Sequence, residues 1–80
     1  MNWTVYILRC ADTTLYTGIT NDLERRLIQH RSGTGAKYTR GREPYDVVFT
    51  ALYATKSDAL KREAHIKRLT RAQKLKLIGN

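Results

Sequence analysis

Three segments of the chain have the hydrophobic pattern of a β-strand. WTVYILRC, residues 3–10, is rich in β-branched and aromatic residues with apolar side chains on both faces, which suits a buried strand. LYTGIT, residues 15–20, predicts a second strand, and the short link between the two favours an antiparallel hairpin. YDVVFTALYA, residues 45–54, alternates and predicts a third strand. The residues expected to share one of its faces are Tyr45, Val47, Phe49, Ala51 and Tyr53.

The segment after the second strand predicts the first helix. Asn21 with Glu24 three residues later has the form of a capping box, which marks a helix N-terminus, and the helical period continues to about Arg31. The following segment, SGTGAKYTRGREP at residues 32–44, contains three glycines and one proline. This composition predicts a loop or a short helical turn.

Two further helices are expected after the third strand. One should cover about residues 56–68, and Thr70 with Gln73 predicts the capped start of a final short helix that Gly79 ends. The order β-β-α-β-α-α has no internal repeat and no linker. It predicts one α/β (α+β) sandwich domain over residues 1–80, with a central three-stranded antiparallel sheet flanked by helices.

The first helix directs polar residues toward its apolar side. At about 100° per residue, Leu23 and Leu27 define the buried direction, and His30 points the same way. Arg26 lies only about 60° from Leu23 on the same projection. A small domain has little reason to aim an arginine and a histidine at its core unless they have a function there.

The helix over residues 56–68 has a similar anomaly. The apolar residues of its expected inward arc are Ala59, Leu60, Ala64 and Ile66. Glu63 falls inside this arc, where a carboxylate loses hydration and needs a partner. Lys67, four residues later, offers a simple ion pair. The alternative is that Glu63 faces the same cleft as Arg26 and His30.

Tyr6 and Tyr16 lie on the predicted hairpin, ten residues apart. They share a face of the sheet if the hairpin loop has an odd length, and lie on opposite faces if the length is even. The pattern leaves both arrangements open. The ordinary role of such residues is that of core aromatics with a solvated hydroxyl.

The charge distribution indicates a polyanionic partner. The formal net charge is +8, and residues 1–24 hold one cation against three anions, whereas the remainder holds fourteen against four. Eighty residues form a single domain with a small core, because a chain of this size buries about 60% of its unfolded surface. Nucleic acid is therefore the expected partner.

Two basic clusters are candidates for that contact. Seven cations lie between Lys61 and Lys76, against Glu63 alone, although a solvated face is the ordinary role of such a run. The cluster GAKYTRGR lies on the glycine-rich segment, where exposed amides suit phosphates and an aromatic ring suits stacking on a base. The residues of this cluster expected to bind nucleic acid are Lys37, Tyr38, Arg40 and Arg42.

Several classes of protein are disfavoured. Cys10 is the only cysteine, so no internal disulfide can form, and a buried small hydrophobic residue is expected there. One cysteine and two histidines 35 residues apart lack the ligand spacing of a zinc site. The N-terminus lacks a signal-peptide pattern, and no apolar run approaches about 18 residues. We therefore expect a soluble cytoplasmic protein without membrane contact.

In order and spacing, these residues resemble the GIY-YIG nuclease superfamily. The matching elements are TVY at 4–6, YTG at 16–18, Arg26 in LERRL, His30 four residues later, and Glu63 in REAHIKRL. The likeness is to the short, stand-alone bacterial members, which consist of the nuclease core, and it covers nearly the whole chain. Thr4 and Val5 replace the glycine and isoleucine of the first motif, whereas Tyr6 is retained.

The resemblance implies a metal-dependent DNA endonuclease. The tyrosine that matches Tyr6 helps to activate the attacking water, and the one that matches Tyr16 shapes the same site and shares in proton handling. Gly18 matches the motif glycine, at which a close approach to the backbone is expected.

The resemblance also assigns roles on the two helices. Arg26 would stabilise charge on the phosphate, and His30 is its companion polar residue. Glu63 would be the single carboxylate that holds a divalent metal, Mg²⁺ or Mn²⁺. Tyr38 corresponds to a position where some relatives carry His or Tyr.

Two other functions remain open from the sequence. A nucleic-acid-binding module that kept the fold without turnover would show salt-sensitive binding and no metal-dependent product. A small protein-interaction domain with a basic tail would show little affinity for DNA or RNA at moderate salt.

Overall fold

A computed structural model describes residues 2–32 and 41–79 of the chain. Its elements are β1 (Trp3–Arg9), β2 (Leu15–Thr20), α1 (Leu23–Arg31), β3 (Asp46–Tyr53), α2 (Lys56–Lys67) and α3 (Arg71–Leu77). The three strands form an antiparallel sheet in the order β2-β1-β3. The predicted sheet, helices and element order are all confirmed.

The central strand β1 divides the core into two parts, because successive side chains point to opposite faces. On one face, Val5 and Ile7 pack with Ala59 and Ile66 of α2. Hydrophobic residues at the C-terminal end of α3 complete this cluster. We call this side the α2 face.

On the opposite face, Tyr6 and Leu8 pack with Tyr45 and Cys10, which is buried as predicted. Leucines of α1 cover this cluster. We call this side the α1 face. The molecule therefore consists of three layers, with α1 on one side of the sheet and α2 and α3 on the other.

The hairpin register determines which face each tyrosine occupies. Arg9 pairs with Leu15, so the loop between the strands is residues 10–14, an odd number. Tyr6 pairs with Gly18, and Tyr16 lies opposite Leu8, two positions further along β1. Tyr6 and Tyr16 therefore share the α1 face, which is one of the two arrangements that the sequence allowed.

The expectation that one face of β3 carries all five alternating residues is wrong. The pairing with β1 shifts between Phe49 and Val47, and Val48 between them is an additional residue, a β-bulge. Phe49 packs on the α2 face, whereas Val47 lies opposite Leu8 and Tyr45 packs on the α1 face. A bulge inserts one residue into the alternation of the strand. Tyr45 and Val47, which precede the bulge, therefore point to the opposite face of the sheet from Phe49.

The first helix begins one residue later than predicted. Its N-cap is Asp22, not Asn21, and the Asp22 side chain accepts a hydrogen bond from the backbone N–H of Arg25. The Thr20 hydroxyl accepts a hydrogen bond from the backbone N–H of Asp22 and thereby holds the capping residue in place. This local turn is what selects Asp22 as the cap.

The inward face of α2 also differs from prediction. Ala59 and Ile66 are buried, but Leu60 is 43% exposed. Since Ala59 and Ile66 point in nearly the same direction, Leu60 lies about 100° away from it and turns to solvent. Arg62 and Glu63 lie closer to the buried direction and are half-buried.

The short helix α3 begins as predicted. Thr70 and Gln73 form a capping box, in which each side chain accepts a hydrogen bond from the other residue's backbone N–H. The chain leaves the helix at Gly79, where φ is +90°. Over residues 2–32 and 41–79, none of the helices has both the length and the apolar character needed to cross a bilayer.

Candidate active site

Tyr6 extends from the central strand into the α1 face, where it has no exposed surface. Its hydroxyl oxygen lies 3.0 Å from Nε2 of His30. His30 is only 1% exposed, and this burial agrees with the direction that the helical period of α1 predicted. The structure therefore places these two predicted site residues in contact inside the core.

Aromatic rings surround the imidazole of His30. The ring centroid of Tyr16 lies 5.4 Å from that of His30, and those of Tyr6 and Tyr45 lie at 6.1 Å and 6.0 Å. The sequence had not assigned Tyr45 to the site. Its position depends on the β3 bulge, which no local pattern indicates.

Gly18 makes room for the ring of Tyr6. A Cβ atom at this position would lie 2.7 Å from the Tyr6 hydroxyl oxygen, 2.8 Å from its Cζ and 3.1 Å from Cε2 of Tyr16. Real Cβ atoms do not approach heavy atoms this closely, so a side chain at residue 18 would displace a ring. The close approach expected at Gly18 is present, and a tyrosine ring makes it.

Arg26 borders the same cluster from α1. Its Nη1 donates a hydrogen bond to Oε1 of Gln29, at 3.1 Å. A side-chain hydrogen bond with Tyr6 is the main cause that raises the pKa of Arg26, and Tyr16 contributes in the same direction. The guanidinium therefore stays charged. Gln29 was missed from the sequence, although its spacing of three residues from Arg26 is the signal that would have found it.

The electrostatics of the cluster keep both buried partners neutral. Burial raises the pKa of Tyr6, and the hydrogen bond from Arg26 opposes this increase. Burial also lowers the pKa of His30, and the charge of Arg26 lowers it further. At neutral pH the phenol therefore keeps its proton, and the imidazole is uncharged. In the tautomer with its proton on Nδ1, His30 can accept the phenolic proton at Nε2.

Glu63 lies on α2, which packs on the opposite side of the sheet from Tyr6 and His30. Its side chain is 19% exposed, and Nζ of Lys67 lies 3.7 Å from its Oε2. The simple ion pair that the sequence allowed is therefore present. Burial is the main cause that raises the pKa of Tyr6, but the negative charge of Glu63 is also one of the causes. The carboxylate thus pairs with Lys67, and its charge contributes only a minor part to the pKa of the tyrosine.

The chemistry of Glu63 fits a magnesium-type ion. No cluster of three or more histidine, cysteine, aspartate or glutamate residues suited to a metal occurs in the described part of the chain. Mg²⁺ is commonly bound through one or two carboxylates and substrate phosphates while it keeps several waters. A single partly buried carboxylate, with a substrate phosphate as a further ligand, meets this requirement.

A cavity of about 470 Å³ opens beside Arg26. Arg25 and Gln29 of α1 line one side of it, and Trp3 and Ile19 line the other. The guanidinium is thus accessible from a space that can admit a phosphodiester.

Arg42 has a partner within the protein. Its Nη1 forms an ion pair with Oδ2 of Asp12, and its backbone carbonyl accepts a hydrogen bond from the N–H of Ala11. These contacts tie the β1–β2 loop to the segment before β3. The other predicted nucleic-acid contacts, Lys37, Tyr38 and Arg40, lie outside the described residues.

Comparison with known proteins identifies the class. A family model described as the GIY-YIG catalytic domain matches residues 2–76, and the chain belongs to this family. A UPF0213 protein of Oceanobacillus iheyensis is 57% identical over 74 residues, which are 92% of this chain and 86% of that protein. The chain is thus similar to short proteins built from little more than this domain, as the motifs predicted.

Two solution NMR structures have the same fold. The UPF0213 protein BH0048 from Bacillus halodurans is 47% identical, with a TM-score of 0.64. The protein EF2693 from E. faecalis is 44% identical, with a TM-score of 0.69. Each alignment covers 98% of this chain and 83% of the other.

Proposed function

We propose that this protein is an endonuclease that hydrolyses phosphodiester bonds in DNA with one divalent metal ion, Mg²⁺ or Mn²⁺, bound at Glu63. The buried hydrogen bond between the Tyr6 hydroxyl and Nε2 of His30 carries the proposal. A hydrophobic core has no need of this pair, and pKa values shifted by burial and by a specific charge are typical of catalytic sites. Family membership supports nuclease activity. That the substrate is DNA and that a metal ion is required are proposed in addition.

Tyr6 and His30 together supply the base for the attacking water. A phenol with a raised pKa is a poor base by itself. When the Tyr6 oxygen accepts a proton from water, its own proton passes to Nε2 of His30, 3.0 Å away. The phenol therefore never has to exist as a free phenolate, and the hydroxide that forms attacks phosphorus.

Access of water to Tyr6 requires a movement in the site. Tyr6 has no exposed surface, whereas Tyr16 is half-buried and lines an open cavity. Substrate binding must therefore shift Tyr16 or its surroundings before water reaches the Tyr6 hydroxyl. This gives Tyr16 the role of a contact residue that covers the base.

Arg26 binds the phosphate. Its raised pKa keeps it charged at any working pH, and its planar guanidinium can donate to two phosphate oxygens at once. Because the pentavalent phosphate carries more negative charge than the substrate, this contact strengthens as the reaction proceeds. Gln29 holds the guanidinium in position through its hydrogen bond to Nη1.

Glu63 would hold the metal ion, which supplies Lewis-acid stabilisation of charge on the phosphate or the leaving oxygen. To bind the metal ion, the carboxylate must give up its ion pair with Lys67. Its partial burial keeps it on the side of α2 that faces the sheet.

A cleavage assay tests the proposal. Purified protein is incubated with labelled single-stranded, duplex and branched DNA and with RNA, in Mg²⁺, Mn²⁺ or EDTA. DNA products that require metal are expected. Salt-sensitive binding without product in either metal would instead support a non-catalytic binding module, and absence of binding would support a protein-interaction domain.

Glu63→Gln separates the catalytic role from the ion pair. We expect this variant to keep the fold, to hold or tighten DNA binding in EDTA, and to lose Mg²⁺-dependent cleavage, because the carboxylate repels phosphate until metal neutralises it. Glu24→Gln makes the same change at an exposed position of α1 and should cut normally. Cleavage by Glu63→Gln at the wild-type rate would exclude Glu63 as the metal ligand.

A further inference from the structure

A second cavity, of about 300 Å³, opens at the outer edge of β2. Its lining residues are Leu15, Tyr16, Thr17, Lys67 and Lys74. β2 is an edge strand of the sheet, and Lys67 of α2 and Lys74 of α3 line the cavity beside it. Two helices therefore each direct one lysine toward the same strand edge.

The charge of this cavity calls for an anionic ligand. Within residues 2–32 and 41–79, the side chain of Lys74 makes neither an ion pair nor a hydrogen bond. No carboxylate is present among the described residues that line the cavity. Lys67 pairs with Glu63, 3.7 Å away, so the uncompensated charge in the cavity is that of Lys74, and an anion there would neutralise it. Lysine is also a common ligand of phosphate, as a point charge.

Tyr16 connects this cavity to the candidate active site. Its ring lines the cavity, and the same ring lies 5.4 Å from that of His30. The cavity beside Arg26 includes Ile19 and Thr20, at the other end of β2. The two cavities thus lie toward opposite ends of one strand, with Gly18 and the tyrosine pair between them.

The length of β2 matches a short stretch of nucleic acid. Six residues at about 3.3 Å each span roughly 20 Å. One strand of a duplex advances about 3.4 Å along its axis per nucleotide, so β2 corresponds to roughly five or six nucleotides. A strand with its cut phosphate at Arg26 therefore has other phosphates within reach of the two lysines.

We propose that Lys67 and Lys74 form a second phosphate subsite, which binds the backbone of the DNA strand beside the bond that is cut. The strand then follows the outer edge of β2, with Tyr16 between the two phosphates. This inference rests on the proposed nuclease function, because it assigns the position of that enzyme's substrate.

Lys74 is the better residue with which to test the subsite, because its removal leaves the candidate metal ligand unchanged. Lys67 also pairs with Glu63, so its removal changes the candidate metal ligand as well. Lys76 provides the matched control, because it lies two residues further along α3, about 200° around the helix, and is exposed. Lys74→Ala and Lys76→Ala remove the same charge from the same helix.

The first measurement is the affinity for a ten-nucleotide single-stranded DNA in EDTA over a range of salt concentrations. Loss of one phosphate contact should reduce the slope of log K against log salt by about 0.7. We expect this reduction for Lys74→Ala and a clearly smaller one for Lys76→Ala, with both thermal midpoints close to wild type. Equal reductions in the two variants would overturn the subsite.

The second measurement is an NMR titration of the backbone amides with the same oligonucleotide. Amides of residues 15–17 should shift in the wild type and in Lys76→Ala, and much less in Lys74→Ala. If the wild type cuts DNA but residues 15–17 do not shift, the subsite is wrong and the nuclease stands. If they shift and no metal yields cleavage, the nuclease fails and with it the position beside a cut bond, and the two lysines remain a contact for a DNA backbone. Absence of both binding and cleavage would reject the two together.

Discussion

The two faces of the sheet use the same central strand for different purposes. On the α2 face, Val5 and Ile7 meet Ala59 and Ile66 in an apolar cluster. On the α1 face, the neighbouring Tyr6 carries its hydroxyl into the core and contacts a buried imidazole. Burial on the first face removes apolar surface from water, which stabilises the fold. Burial on the second face also raises the pKa of Tyr6 and lowers that of His30, as the proposed mechanism requires.

Stability and chemistry should therefore separate at adjacent residues of β1. A substitution on the α2 face should change the free energy of unfolding and leave cleavage by folded molecules intact. A substitution of a polar atom on the α1 face should lower cleavage far more than it lowers stability. The following predictions test this division, beginning with the largest expected effect.

Tyr6→Phe removes the phenolic oxygen and keeps the ring over Gly18. We expect cleavage to fall about 10²- to 10⁴-fold, because the proton of the attacking water loses its acceptor. Some stability is also lost, since Nε2 of His30 no longer has its partner at 3.0 Å. Single-turnover cleavage and urea unfolding should be measured on the same preparation.

Ile7→Val is the control on the other face. Ile7 is fully buried next to Tyr6 in sequence, and loss of its methyl group should cost about 0.5–1.5 kcal/mol of stability. The cleavage rate per folded molecule should match wild type. A rate loss comparable to that of Tyr6→Phe would show that the two faces are not independent.

Arg26→Lys keeps a cation on the α1 side and removes the planar donor group. Cleavage should fall about 10²-fold, with a much smaller change in DNA affinity, because one ammonium cannot donate to two phosphate oxygens as a guanidinium does. Arg31→Lys, at the exposed end of the same helix, is the control. Full turnover by Arg26→Lys would reduce Arg26 to a counter-ion.

Gly18→Ala tests how closely the α1 face is packed. The new Cβ would lie 2.7 Å from the Tyr6 hydroxyl oxygen, so the ring must move and its hydrogen bond to His30 is disturbed. We expect a loss of about 1–3 kcal/mol of stability and slower cleavage. In the Tyr6→Phe background the nearest atom is absent, and the stability cost of Gly18→Ala should be smaller. Because Cζ of residue 6 would still lie 2.8 Å from the new Cβ, equal costs in both backgrounds would assign the clash to the ring and not to the hydroxyl.

The smallest expected effect is the pH dependence of stability. The pKa of His30 is lowered in the folded protein, chiefly by burial, so the unfolded chain binds the proton more readily. The stability of the fold should therefore decrease as pH falls below about 6.5 and be fully present above it. Urea unfolding between pH 5 and 7.5 should show this slope in the wild type.

Two histidine variants identify the residue that causes the pH dependence of stability. His30→Gln should remove it, whereas His65→Gln, at an exposed position of α2, should keep it. A slope that persists in His30→Gln and disappears in His65→Gln would place the titrating group outside the core.

Local signals predicted much of this structure. The capping box at Thr70 and Gln73 and the burial of His30 depend only on residues within one or two helical turns, and both are confirmed. The helical period also identified Arg26 and Glu63 as unusual, because a polar residue within an apolar arc can be recognised from the sequence of one helix alone. The same logic failed for Leu60, since the true inward direction of α2 depends on where the sheet lies.

Features that depend on pairing between strands could not be predicted from the sequence. The bulge at Val48 exists only relative to β1, and it alone decides that Tyr45 packs beside His30. The shared face of Tyr6 and Tyr16 likewise required the length of the hairpin loop. The sequence could name candidate residues on single elements, but their assembly into one site depends on the register of the sheet.

The close packing of Tyr6 on Gly18 also determines which substitutions at these two positions can be reversed during evolution. In a lineage where Tyr6 becomes a small residue, space opens above position 18, and any side chain that fills it then blocks the return of the tyrosine ring. Replacement by phenylalanine, in contrast, is undone by one substitution. In such a small domain, the loss of Tyr6 is therefore hard to reverse once a side chain occupies the vacated space.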